Sequence, residues 1–199
     1  MSFLNIPDVF IGSTDDGHTF VVLNRRIRDA DRMLADAGFL AREHLGRTLY
    51  LLPPGTARDA HESAGDAMDG LLTCTIDIVD LSWTTRWSPD TPEADPDLRF
   101  QFANGTVTAT AATTAARSLL EQHGFNTVDG PSYQPPPGLE QHGLLGAVTA
   151  AEAHAYTHGL TVHVGLGIPT PMDIPAAPRP ASPAAASPPP GPATRRRLR

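Results

Sequence analysis

The sequence predicts an α+β fold: two tandem β-β-α-β-α-β repeats, mainly antiparallel sheet with helices on one face, then a disordered C-terminal tail. Three paired observations carry this. Asp16-Gly17 separates DVFIGST from HTFVVLN, and Asn104-Gly105 separates LRFQFA from TVTATA, so each half of the chain opens with a hairpin signal. Two helical patterns then stop at Gly38-Phe39 and at Gly124-Phe125. Finally, Tyr50-Leu-Leu-Pro-Pro-Gly55 and Tyr133-Gln-Pro-Pro-Pro-Gly138 share the pattern Tyr-x-x-Pro-Pro-Gly. The landmarks recur in one order, with spacings that differ as loop insertions allow.

Each element follows in turn. Asp-Gly and Asn-Gly supply the positive φ angles of a type I′ turn, which matches the twist of paired strands. In the first helix Ile27, Ala30, Met33, Leu34 and Ala37 fall at helical spacing, with Asp29 and Asp31 in its first turn. Its counterpart runs from about Thr114, with Ala116, Leu119, Leu120 and His123 inward. Phe39 and Phe125 are placed to cover the two helix ends as Schellman contacts do. RTLYLL is a strand leading into the first Pro-Pro-Gly. Alanine-rich helices follow over about Ala57–Asp69 and Leu139–His158, and TCTIDIVDL (73–81) and TVHVGLG (161–167) close the repeats as strands. Ile76 and Ile78 are expected inward, against Asp77 and Asp80.

Composition sets the boundaries. Residues 1–87 form repeat one and 98–168 repeat two. Between them 88–97 (SPDTPEADPD, from Ser88) is an acidic, proline-rich linker. From 169 to 199 the chain is dominated by Pro, Ala, Ser and Arg and has too little apolar surface to offset its ordering entropy. No apolar run reaches the 18 residues of a membrane helix, and MSFLNIPDVF lacks the basic start of a secretory signal, so a cytoplasmic location without a membrane span is expected. The single Cys74 excludes a disulfide framework and a cysteine-cluster metal site, and it is expected as a buried, inert thiol at the start of a strand.

All 15 cations are arginine. Residues 1–178 hold all 22 acids and ten arginines, a net charge of −12, whereas 179–199 hold five arginines and no acid. The acidic body repels phosphate unless one face is locally basic.

The residues able to carry chemistry are few. His154 and His158 share a helix face and His163 follows on the next strand, the spacing of a divalent-metal grip. No Glu stands between the first two in the HExxH manner, and Gly65 and Asp69 occupy the aligned places of repeat one. The expected reading is therefore a solvated helix end with no metal and no cofactor. No Gly-x-Ser-x-Gly elbow is present, and a chain without lysine has no Walker pattern. Asp77 with Asp80, and Asp66 with Asp69, read as solubilising acids.

Two features suit binding. Trp83, Arg86 and Trp87 have the make-up of an interface hot spot, set against a plain role in covering the seam between repeats. Arg195, Arg196, Arg197 and Arg199 can touch nucleic acid, anionic lipid or an acidic protein, set against a merely solubilising end.

Ala30-Asp-Arg-Met-Leu-Ala-Asp-Ala-Gly-Phe39, Tyr50-Leu-Leu-Pro-Pro-Gly55 and the helix ending at Gly70-Leu-Leu together resemble a recurrent module of uncharacterised high-GC actinobacterial proteins. That module combines an A-x-x-L-x-x-A-G-F helix, a strand ending in L-P and an alanine-rich helix. The resemblance covers about residues 18–83 well and 98–167 loosely, since the second repeat lacks the L-P strand. It implies a plasmid or integrative-element context and carries over no catalytic residue. The expectation is a non-catalytic interaction or regulatory protein with a protein partner, an accessory factor of such an element. The alternatives are a nucleic-acid-associated protein anchored by its tail and a metal-dependent enzyme using His154, His158 and His163.

Overall fold

The computed structural model describes residues 2–53, 55, 57–85 and 95–178. After a 3-10 turn at Phe3–Asn5, repeat one runs β1 (Val9–Ser13), β2 (Thr19–Leu23), α1 (Ala30–Asp36), β3 (Leu40–His44), β4 (Arg47–Leu52), α2 (Ala57–Leu72), β5 (Ile78–Asp80) and a short α3 (Ser82–Thr85). Repeat two runs β6 (Leu98–Ala103), β7 (Thr106–Ala111), α4 (Thr114–Gln122), β8 (Asn126–Asp129), β9 (Ser132–Gln134), α5 (Gln141–Thr157) and β10 (Val162–Gly165). The fold is α+β with two mostly antiparallel sheets.

Their topology reveals the duplication. The first sheet is ordered β3-β4-β2-β1-β5 and the second β8-β9-β7-β6-β10, the same order in equivalent strands. In each, only the last strand is parallel to its neighbour: β5 to β1, and β10 to β6. Each repeat has one strand more than the sequence pattern predicts, so the unit is β-β-α-β-β-α-β. The added strands, β3 and β8, are sheet edges whose residues are almost all exposed, so they carry no apolar alternation to read.

Local details follow the sequence unevenly. Phe39 and Phe125 are buried, and their N–H groups donate to Leu34 O and Leu120 O at 2.9 Å, the long bond of a Schellman ending. Asn104 and Gly105 both have positive φ, as a type I′ turn requires. The first hairpin differs. Its loop spans Thr14–His18, because Asp15 N and Asp16 N reach out to Ile168 O and Pro169 O at 2.9 and 3.1 Å. The strand expected over 73–81 shrinks to Ile78–Asp80. Residues 73–75 instead close α2, with Cys74 N and Thr75 N bonded to Leu71 O. Ile76 is consequently 91% exposed, and Cys74 is an exposed thiol rather than a buried one.

The described residues form two separate sheets, which meet through side chains rather than in one continuous sheet. One face of the first sheet (Val9, Ile11, Val21, Tyr50) packs under α1 and α2 with Leu34, Ala64, Ala67 and Leu71. Its other face (Phe10, Phe20, Val22, Leu49) joins a core with Leu98, Phe100 and Phe102 of the second sheet and Leu144, Leu145 and Val148 of α5. Phe3 links the two sides, with its ring 5.9 Å from Phe10 and 4.4 Å from Phe102. The second sheet leaves the opposite face of β6 and β7 open. Arg99 and Gln101 on β6, and Thr106, Thr108 and Thr110 on β7, are exposed.

The C-terminal boundary also moves. Residues 169–178, assigned from composition to the tail, lie on the body. Thr170 caps a 3-10 turn at Pro171–Asp173, and Ile174 is fully buried in the shared core. One apolar side chain and a capping box order a segment whose composition alone predicts none. Residues 179–199 lie outside the described residues, as does most of the linker, whose last residue Asp97 accepts hydrogen bonds from Thr161 N and Oγ1.

Candidate functional site

An arginine-lined concavity lies where β2 leaves the first sheet. The chain passes through Asn24–Asp29 to reach α1, and the β3–β4 turn at Gly46 rises beside it. Together they enclose an open cleft of about 970 Å³ whose lining includes Arg25, Arg26, Arg28 and Arg47, with Ala177 and Pro178 on its rim. Four of the ten arginines in residues 1–178 thus converge on one place. Asp29 and Asp31 also line it, but Tyr50 Oη donates a short hydrogen bond to Asp31 Oδ1 and occupies that carboxylate from below. Burial, with Asp31 adding to it, pushes the Tyr50 phenol well above its ordinary range, so it stays a donor.

Arg47 is the unusual member. It is 7% exposed, at the first position of β4. Nη2 donates to Asn5 Oδ1 at 2.7 Å and Asn24 Oδ1 at 2.9 Å, and Nη1 donates to Pro175 O at 3.2 Å. Asn24 is fixed in turn by donating to Leu4 O and Pro7 O. The guanidinium therefore pins the N-terminal turn, the end of β2 and the C-terminal segment together. Every acceptor it uses is neutral, and Nε is buried without a partner. Burial lowers its pKa, yet an arginine stays charged, so a cation sits here with no carboxylate paired to it among the described residues.

The other three arginines are exposed. Arg25 pairs with Asp8 at 3.1 Å, Arg28 Nε lies 3.4 Å from Asp29 Oδ2, and Arg26 has no polar partner among the described residues. The Arg28–Asp29 pair is exposed on both sides, so it is weak and opens readily to a competing anion, whereas Arg25 is paired with an Asp8 side chain that is only 20% exposed and also accepts from Thr75 Oγ1.

The three histidines weighed as an alternative metal grip are split. His163 is opposite Arg99 in the β10–β6 register, on the face of the second sheet away from α5, which carries His154 and ends at His158. His123, at the end of α4, takes its place. Its Nε2 is 3.0 Å from His154 Nδ1, and the His154 and His158 rings lie 4.5 Å apart. Among the described residues no three His, Cys, Asp or Glu side chains are placed to hold a metal ion.

Trp83 does not cover the seam between repeats. It is 56% exposed on α3, with its ring edge-on to His61 at 4.7 Å. The seam beside it is polar: Thr84 hydrogen-bonds Glu152 of α5, and Asp80 stands near. Arg86 and Trp87, like Arg195, Arg196, Arg197 and Arg199, lie outside the described residues.

The sequence alone does not mark out the cleft arginines. The signal was the run Arg25-Arg26-Ile27-Arg28, masked by Asp29 and Asp31 immediately after it. Arg47 gave no signal, since it opens an ordinary strand. Comparison with protein-family models, with curated proteins and with solved structures finds no match to this chain.

Proposed function

We propose that this chain is a non-catalytic interaction or regulatory protein whose working surface is the arginine-lined cleft, and that its partner presents anionic groups there. The observation that carries this reading is Arg47, a buried cation hydrogen-bonded only to neutral oxygens. Burying an unpaired charge costs several kcal/mol in proteins, roughly. An anion seated beside Arg25, Arg26 and Arg28 offsets that cost in the bound state. The accessory role at a plasmid or integrative element, implied by the resemblance of residues 18–83, is compatible with such a binder.

The test is thermal melting of the full chain against a panel of anions: inorganic phosphate, polyphosphate, poly-glutamate and duplex DNA. At a hundredfold excess over Kd a ligand that binds only the folded state adds about 2.7 kcal/mol. At least one anion is expected to raise Tm, and the shift is expected to shrink in Arg26→Gln/Arg28→Gln. A panel that leaves Tm unmoved disposes of the reading.

A further inference from the structure

We propose that the cleft takes the sugar–phosphate backbone of a nucleic-acid duplex, gripped by Arg25, Arg26 and Arg28 with Arg47 behind them. This rests on the reading of the cleft as an anion-binding surface and names the anion.

Four observations select it. First, the cleft is open rather than enclosed, and three of its four arginines are exposed, which suits a ligand that runs past the site rather than one swallowed by it. Second, Arg25 to Arg28 span three Cα–Cα steps, at most about 10 Å. Over that length a duplex presents roughly six phosphate charges, more than an isolated carboxylate or phosphate offers. Third, the sole aromatic among the described lining residues is Tyr50, which is buried with its hydroxyl committed to Asp31, so no platform exists for stacking an unpaired base. That favours a paired duplex over a single strand. Fourth, the described chain ends on the rim at Pro178, and the sequence beyond it holds Arg179, Arg195, Arg196, Arg197 and Arg199 with no acid.

The rest of the body is acidic, and this shapes the interaction. Residues 1–178 carry a net −12, and Asp29 and Asp31 stand among the cleft arginines, so a duplex is repelled by most of the surface and gains only where Arg25, Arg26 and Arg28 reach its phosphates. Screening within about 8–10 Å keeps that repulsion from cancelling contacts made in the cleft itself. The result is a weak, salt-sensitive grip on backbone without base readout, with Kd about 10⁻⁵ M at physiological salt.

Fluorescence anisotropy of a labelled 20-base-pair DNA duplex with the full chain, from 50 to 200 mM salt, tests this. Arg26→Gln/Arg28→Gln is expected to weaken binding at least tenfold and to flatten the log–log salt slope by about 2. Both residues are exposed, so the variant's Tm without ligand is expected to match the parent's and excludes misfolding. An RNA duplex in a parallel arm identifies the source of the backbone, and either duplex supports the proposal. Binding that is absent at 50 mM salt, unchanged in the variant, or tighter for a single strand of equal length overturns it. If poly-glutamate or polyphosphate binds through the same arginines and duplex does not, the cleft reading stands and the duplex assignment falls.

Discussion

Leu166 lies against the bare Cα of Gly12, so close that a Cβ built at Gly12 would come within 3.0 Å of Leu166 Cδ1 and 2.9 Å of Phe10 Cε1. This contact joins the two repeats. In the matching register of the second sheet Gly12 corresponds to Gln101, and Phe10 to Arg99. The first sheet has glycine and phenylalanine where it meets its neighbour; the second has glutamine and arginine at those places, exposed to water.

The first prediction follows from that contact. Gly12→Ala should destabilise the chain by about 1–3 kcal/mol through overpacking, since the added methyl meets buried atoms on both sides. Gly65→Ala, where a Cβ meets nothing within 4 Å, serves as the control and should be neutral or stabilising. Urea unfolding of the two variants measures the difference, and equal midpoints would remove Gly12 from the account of how the repeats join.

Arg47 is predicted to serve structure and binding together. Arg47→Met strands Asn5 Oδ1, Asn24 Oδ1 and Pro175 O, and should cost about 2–3 kcal/mol despite removing an unpaired charge. Arg47→Lys should not restore it, because an ammonium cannot reproduce the fork that reaches Asn5, Asn24 and Pro175. Melting temperatures of both variants decide this, and a fully stable lysine variant would contradict it.

Glu152 should make stability fall as pH rises. Burial, reinforced by the nearby Asp80 carboxylate and opposed by the Thr84 hydrogen bond, pushes its carboxyl up to about 7. Its folded pKa exceeds the ordinary value of 4.5, so the folded state holds the proton more tightly. The contribution is fully present below 4.5 and is lost as pH rises through about 7. Glu152→Gln should therefore be more stable than the parent at pH 8, by about 1–2 kcal/mol once solvent access is discounted, and equal to it near pH 4. Denaturant titrations at the two pH values supply the test, and parallel shifts at both would argue against the titration.

His123 acts in the opposite sense. Burial first, then the neighbouring His154, lower its pKa below 6.5. Stability linked to neutral His123 is thus present above 6.5 and is lost as pH falls through its depressed folded value. The 3.0 Å bond between His123 Nε2 and His154 Nδ1 also needs one neutral nitrogen as acceptor. In His123→Gln the acid-side loss should diminish. NMR titration of the ring protons reads it directly, and an unshifted His123 would end the prediction.

Some of this was legible in the sequence and some was not, for reasons visible at particular residues. Phe39 and Phe125 announced the two helix ends, because a Gly-Phe stop is a local device whose partners lie within six residues. The edge strands β3 and β8 were invisible because edges exposed to water need no apolar rhythm. Sequence distance groups His163 with His154, yet it faces the other way, since successive residues of a strand point to opposite faces and Val162 packs against the core. Composition places Ile174 in the tail because its neighbours are proline and alanine, and burial of one side chain is not a compositional property.

The sequence by itself determined the duplication, the helices with their stops, and the division between an acidic body and a cationic end. These follow from short-range backbone preferences and from summed charge, which need no knowledge of neighbours. The tertiary structure alone decided which faces meet, that Arg25, Arg26, Arg28 and Arg47 surround one cleft, and that the described chain ends on its rim. Arg28 and Arg47 lie far apart along the chain, and only the pairing of β2 with β4 brings their surroundings together. A cation's meaning depends on what desolvates it and what opposes it, and both are set by residues distant in sequence.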